Sequence, residues 1–214
     1  MQPATSPRRL LHVGCGPRGQ PLPPGFAAPA WQEIRFDIDP AVDPDVVGSM
    51  TRLDSFAEGS IDAIFSSHSL EHLFEHEVMV ALREFARVIR PEGHAVITCP
   101  DLQGIGRLLA EDRLVEAAFI SPAGPIGALD VLFGYRPSLA QGNSFMAHRY
   151  GFTLTSLLIH LRQAGFARAG GIRLESVYEL WVVASKEPRG DDDMLGLMRA
   201  HLPVARAEGL PVIS

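Results

Sequence analysis

The sequence predicts an α/β fold built on a doubly wound, mostly parallel sheet. Two observations carry this. Short apolar runs suited to buried strands alternate with connections along the first hundred residues. The first run stops at Gly14-Cys15-Gly16, a turn that leaves unhindered backbone at the carboxyl end of a strand, where open α/β sheets bind ligands. A length of 214 residues suits one α/β domain with room for an insertion. Apolar residues at 46% and charged residues at 21% allow a core without staples. The net charge of -6 argues against a nucleic-acid partner.

In chain order, residues 1–8 read as a loose tail and residues 10–13 as the first strand. Residues 17–30 are too dense in proline and glycine for a regular helix. Residues 33–38 form a second strand, 46–47 a short third and 61–65 a fourth. Residues 75–89 form a helix, because Val78, Leu82, Phe85 and Ile89 share one face. Arg90 and Pro91 end it. Residues 95–99 form a fifth strand.

Residues 101–152 break the rhythm. A helix is expected over 108–119, followed by a stretch rich in glycine and proline, and an irregular insertion of this length reads as a lid. A helix resumes over 153–164, capped by Thr153 or Thr155 and closed by Gly165. Residues 172–177 and 179–185 are two strands joined so tightly that they pair antiparallel. The domain is thus expected to span 1–186, with 187–214 a weakly amphipathic tail on the surface. No apolar run approaches a membrane span and no secretory h-region is present, so a cytoplasmic location is expected. Cys15 and Cys99 read as reduced, buried thiols.

Asp37 follows Gly16 by 21 residues, at the end of the second strand, where a carboxylate can accept both hydroxyl hydrogens of a ribose. Gly14, Gly16 and Gly19 also satisfy a dinucleotide pattern. That pattern needs a helix directly after it to receive a pyrophosphate. Pro21-Leu22-Pro23-Pro24 follows instead, which disfavours a nicotinamide cofactor.

Four segments in register then carry a resemblance: Leu11-His12-Val13-Gly14-Cys15-Gly16, Phe36-Asp37-Ile38-Asp39-Pro40, the run from Phe65 through Ser66, His68, Glu71 and His72 to Leu73, and Val88-Ile89-Arg90-Pro91-Glu92-Gly93. Over about residues 8–100 the chain resembles class I S-adenosylmethionine-dependent methyltransferases. The resemblance implies a Rossmann-like, seven-stranded sheet with an antiparallel last strand. It implies that S-adenosylmethionine is the cofactor, with Gly14, Cys15 and Gly16 at its methionine part and Asp37 on its ribose. It further implies Ile38 against the adenine, Ser49 and Met50 at the adenine edge, and Ser66 and His68 near the methyl group.

Methyl transfer from a sulfonium needs alignment and exclusion of water more than activation. The acceptor site is expected in the lid, with Tyr135, Arg136, Asn143, Arg149 and Tyr150 as substrate-binding residues and His148 as the base. His68, His72 and His76 recur at four-residue steps, but no further ligand is fixed by spacing, so no metal is expected.

The leading expectation is therefore a methyltransferase acting on an O or N atom of a small-molecule acceptor, with no membrane partner and homodimerisation left open. His12, Arg18 and Ser49 stand where the family usually carries an acidic residue, a glycine and an acidic residue. They motivate a second reading, a cofactor-binding module without catalysis. The third is an NAD-dependent oxidoreductase.

Overall fold

A computed structural model describes residues 6–203 and 212–213. Parts of both expected tails, residues 1–5, 204–211 and 214, lie outside the described residues. The main sheet contains β1 (Arg8–Val13), β2 (Trp31–Asp37), β3 (Val46–Val47), β4 (Ile61–Ser67) and β5 (Ile89–Pro100). Its other strands are β8 (Arg168–Leu174), β9 (Glu179–Ser185) and the two-residue β10 (Val212–Ile213). The spatial order is β10-β8-β9-β5-β4-β1-β2-β3. The first five strands pair parallel, and β9 inserts antiparallel between β5 and β8. The expected seven strands are therefore present, with β10 added at one edge.

Side chains alternate across this sheet with a period of two. Leu11, Val13, Ile64, Ile97 and Val182 face one way. They are covered by α1 (Glu75–Val88) and α5 (Leu154–Gln163) through Val78, Leu82, Phe85, Leu157 and Leu161. Thr153 caps α5 by accepting the Ser156 N–H, and Gly165 follows the helix at φ 108°. Leu10, Ala63, Phe65, Val96 and Val183 face the other way. No helix follows β1 to cover them, only a 3-10 turn at Pro24–Phe26.

Cover on that face comes from Phe26 of the proline-rich link, from Trp31 at the start of β2 and from Met194 and Met198 of α6 (Asp191–His201). Each such side chain, fully buried, stabilises by about 1.5–3 kcal/mol. The stretch read from sequence as a weakly amphipathic tail thus supplies part of the core, because the sheet face would otherwise be open.

Phe26 stacks on His94 and lies 4.3 Å from the His201 ring, centroid to centroid. The two histidines meet at 3.1 Å between their Nε2 atoms. Burial, aided by the positive field of His201, holds His94 down to about 3, and burial with Arg8 nearby holds His201 down to about 4. Both are neutral in the fold, whereas unfolded histidine titrates near 6.5. As pH falls below 6.5 the unfolded chain takes up protons first, so stability present above that pH is lost towards pH 4–3. Urea unfolding is expected to lose roughly 6 kcal/mol between pH 7 and pH 4 from this pair, about half from each histidine. His201→Phe should about halve that loss; an unchanged pH slope in the variant would refute the assignment.

The lid holds α2 (Leu102–Ala110), a hairpin of β6 (Ala117–Ser121) and β7 (Gly124–Gly127), α3 (Ala128–Phe133) and α4 (Arg136–Ala140). The helix expected over 108–119 is corrected here. Asp101 caps α2 by accepting the Gln103 N–H at 3.0 Å, so the helix starts early. Asp112 then takes φ 56° and turns the chain, and Ala118 and Phe119 pack on Ile105 and Leu108 from the hairpin.

Candidate functional site

β1 delivers the chain into the glycine turn with Gly14 at φ 66° and Gly16 at φ 58°, values that L side chains avoid. The Gly14 N–H donates to Phe36 O at 2.9 Å. The Gly16 N–H donates to Asp37 Oδ2 and the Asp39 N–H to Asp37 Oδ1, both at 2.9 Å. Asp37 is thus clamped at the end of β2, and each of its oxygens keeps acceptor capacity for a further donor. The Arg35 guanidinium ties the turn down by donating to Gly16 O and to Asp43 O. Sequence reading passed over Arg35; its signal is a buried charge inside an otherwise apolar strand end.

Cys15 contributes backbone only. Its side chain is buried, and burial raises the thiol to about 11, so it is not a nucleophile near neutrality. Ile38 is 49% exposed and Val47 55% exposed, leaving apolar faces open beside the turn. The Ser49 hydroxyl is bonded to Thr51 Oγ1 at 2.8 Å, and Met50, half-buried, packs against the core.

The carboxyl end of β4 meets this turn directly. A Cβ at Gly14 would lie 2.1 Å from Ser69 Oγ, so only glycine lets residues 67–72 close on β1. Ser66 is fully buried and its hydroxyl lacks a partner among the described residues. His68 adopts φ 48° and points its Nε2 at Glu179 Oε1, 2.5 Å away, and its Nδ1 at Glu71 Oε1, 3.3 Å away. Enclosure of its ring nitrogens disfavours charge, but the two carboxylates outweigh it and hold His68 up to about 10.

Beyond His68, the lid returns to the sheet. The Arg149 and Tyr150 N–H groups donate to Glu71 O at 2.8 and 3.2 Å. His72 Nδ1 donates to Ala147 O at 3.1 Å, and His148 Nδ1 donates to Val131 O at 2.8 Å. Gly134, at φ 100°, makes this return feasible, since a Cβ there would strike Met146 O at 1.9 Å. Glu71, His72 and His148 come together, each offering a ligand atom within 4.8 Å of the others. The four-residue histidine series does not assemble: His76 is exposed and stacks on Phe74.

Residues 11–97 match the family model described as a methyltransferase domain. No curated protein matches the chain in sequence. Among solved structures, the CMeT domain of a citrinin polyketide synthase is similar at a TM-score of 0.55 and 11% identity, over 86% of this chain and 47% of that one. This chain therefore spans about half the length of that relative. A Pyrococcus horikoshii protein matches at 0.54 and 15% identity, over 84% of this chain and 82% of its own. The Burkholderia thailandensis 1,6-didemethyltoxoflavin-N1-methyltransferase, solved with 1,6-didemethyltoxoflavin and S-adenosylhomocysteine, matches at 0.50 and 15% identity over 85% and 72%. At such identities these likenesses are of fold. Over residues 11–97 the chain is similar to methyltransferase domains.

The residues here fit S-adenosylmethionine, the cofactor that the resemblance implies: a clamped Asp37 carboxylate with acceptor capacity left, glycine backbone at positive φ, and uncovered Ile38. Such a cofactor would supply an activated methyl group, and this turn would supply its cradle. The NAD reading fails here, because no helix follows Gly19 to meet a pyrophosphate; only the 3-10 turn at Pro24–Phe26 lies before β2. Of the departures from the family pattern, His12 is bonded to Glu33 Oε1 at 2.6 Å, so a carboxylate still stands beside β1. Arg18 pairs with Asp43 at the surface.

The expected substrate residues separate into groups. Arg136 is committed to Asp130 through two bonds of 2.8 and 3.0 Å, and Tyr135 OH donates to Ala123 O. Asn143 Oδ1 is enclosed without a partner among the described residues. Arg149 lies over the Phe74 ring at 4.8 Å and donates to His72 O. Tyr150 packs edge-on against Phe152 and His160. Arg149, Tyr150 and His148 thus lie with the β4 turn, whereas Tyr135 and Arg136 anchor the lid hairpin to α3 and α4. Among the described residues, no helix is long and apolar enough to cross a membrane.

Proposed function

We propose that the protein transfers the methyl group of S-adenosylmethionine to an O or N atom of a small molecule held under the lid. The contact of Ser69 with Gly14 carries this reading: it sets the polar cluster of His68, Glu71, His72 and His148 beside the turn that cradles the methionine end. Gly14, Cys15 and Gly16 contact that end through backbone, Asp37 holds the ribose, and Ile38 covers the adenine, with Ser49 and Met50 at its edge. Ser66 and His68 border the methyl group. Arg149, Tyr150 and Asn143 line the acceptor side, with Tyr135 and Arg136 shaping the lid.

An acceptor that must lose a proton needs a base. Burial holds His148 below its usual value, so the ring is neutral near pH 7 with an unprotonated Nε2. Incubation with labelled cofactor and a metabolite extract is expected to label a small-molecule fraction. His148→Gln is expected to lower turnover about 100-fold while leaving S-adenosylhomocysteine affinity within threefold. Failure to bind S-adenosylhomocysteine by calorimetry, with no transfer, would sink the proposal. Tight binding without turnover over a broad acceptor panel would favour the non-catalytic binding module.

A further inference from the structure

We infer that Glu71, His72 and His148 form a binding site for one divalent transition-metal ion of the zinc class. The first argument is the state of Glu71. Its side chain is fully buried, and neither carboxylate oxygen has a hydrogen-bond partner among the described residues. An enclosed carboxylate without donors costs several kcal/mol and calls for a cation. His68 answers this only in part. Its Nδ1 forms an ion pair with Glu71 Oε1 at 3.3 Å and its Nε2 is bonded to Glu179 at 2.5 Å, which leaves the buried Glu71 Oε2 without a partner among the described residues.

The second argument is the tautomer of the two facing imidazoles. A carbonyl only accepts, so Nδ1 of His72 carries the hydrogen given to Ala147 O, and Nδ1 of His148 carries the one given to Val131 O. Each ring is left with its lone pair on Nε2. Fixing a histidine by an Nδ1–H bond to a carbonyl is how metal-binding histidines are oriented. The rings lie 5.0 Å apart, edge to face.

The third argument is distance and chemistry. The ligand atoms lie within 4.8 Å of one another, while a tetrahedral zinc ion with bonds of ~2.1 Å spaces its ligands roughly 3.4 Å apart. Small side-chain rotations close that gap. The backbone beneath is already set, since residues 149 and 150 are bonded to Glu71 O. Two imidazoles with one carboxylate suit zinc, cobalt or nickel, and three protein ligands leave a position open. What that position does rests on the methyltransferase reading: beside the methyl donor, it would hold an oxygen or nitrogen of the acceptor. In the metal-loaded protein His148 is then a ligand instead of a base.

The test uses the full chain without a tag, stripped of metal by chelator. Titration with Co2+, followed by visible absorption, and with Zn2+, followed by calorimetry, is expected to give one equivalent and the intense d–d bands of a low-coordinate ion. His72→Ala, His148→Ala and Glu71→Gln should each weaken binding at least tenfold, with His76→Ala unchanged. Circular dichroism of the metal-free variants separates lost ligands from lost fold, and Glu71→Gln keeps shape if the histidine variants fail to fold. No stoichiometric Co2+ binding, or binding that survives all three substitutions, overturns the site. S-adenosylhomocysteine binding is measured separately: a chain that binds it but no Co2+ loses the metal site alone. One that binds Co2+ but no S-adenosylhomocysteine keeps the metal site and loses the methyltransferase reading.

Discussion

Asp37→Ala is expected to weaken S-adenosylhomocysteine binding by about 100-fold or more in calorimetry. Each Asp37 oxygen already holds one backbone N–H, from Gly16 and from Asp39. In the proposed site the remaining acceptor capacity takes two ribose hydroxyls. Hydrogen bonds to a charged acceptor contribute about 1.5–3 kcal/mol each, so losing two gives a factor of that size. Part of the loss comes from the turn, because Gly16 at φ 58° loses the carboxylate that holds its N–H. Asp37→Asn keeps one acceptor oxygen and should fall between the two. An alanine variant that binds within threefold of the parent would remove Asp37 from the cofactor site.

Arg173→Met is expected to cost about 3–5 kcal/mol of stability in urea unfolding. Arg173 reaches from β8 to Asp101 at the root of the lid, with Nε and Nη2 at 2.7 and 2.5 Å from Oδ2. Asp101 is 1% exposed, and without the guanidinium its charge keeps, among the described residues, only the Gln103 N–H on Oδ1. The loss is that of a stranded charge, so the double variant Arg173→Met with Asp101→Asn should regain most of it; asparagine can still cap α2. The lid should also become more sensitive to proteolysis in the single variant than in the double one. A single variant within about 1 kcal/mol of the parent would show the pair to be solvated instead.

Much of the cofactor half was legible in the sequence because its signals are local. The glycine turn, Asp37 after the second strand and the helix face of Val78, Leu82 and Phe85 each depend on neighbours within a few residues. The α2 boundary was not, since it turns on the Asp101 cap and on the positive φ of Asp112. The role of α6 was not, because Met194 and Met198 look weakly apolar until the sheet face left bare by the proline-rich link requires cover. Arg136 was readable as a charge in the lid, but its pairing with Asp130 is set by how α3 and α4 fold.

The polar cluster shows the division most clearly. Glu71 and His72 lie in a motif that was readable as part of the resemblance, and His148 was readable as a titratable group in a lid. Their meeting was not, because 76 residues separate His72 from His148 and no periodicity spans that gap. By itself, then, the sequence determined the strand-turn-strand frame, the glycine turn and the place of the insertion, all set by local backbone preference and burial pattern. Only the tertiary structure decided what the lid brings to that frame. A carboxylate at the end of β4 acquires its environment from whichever segment packs on it, and here that segment is the lid's last turn, pinned by two backbone hydrogen bonds to Glu71 O.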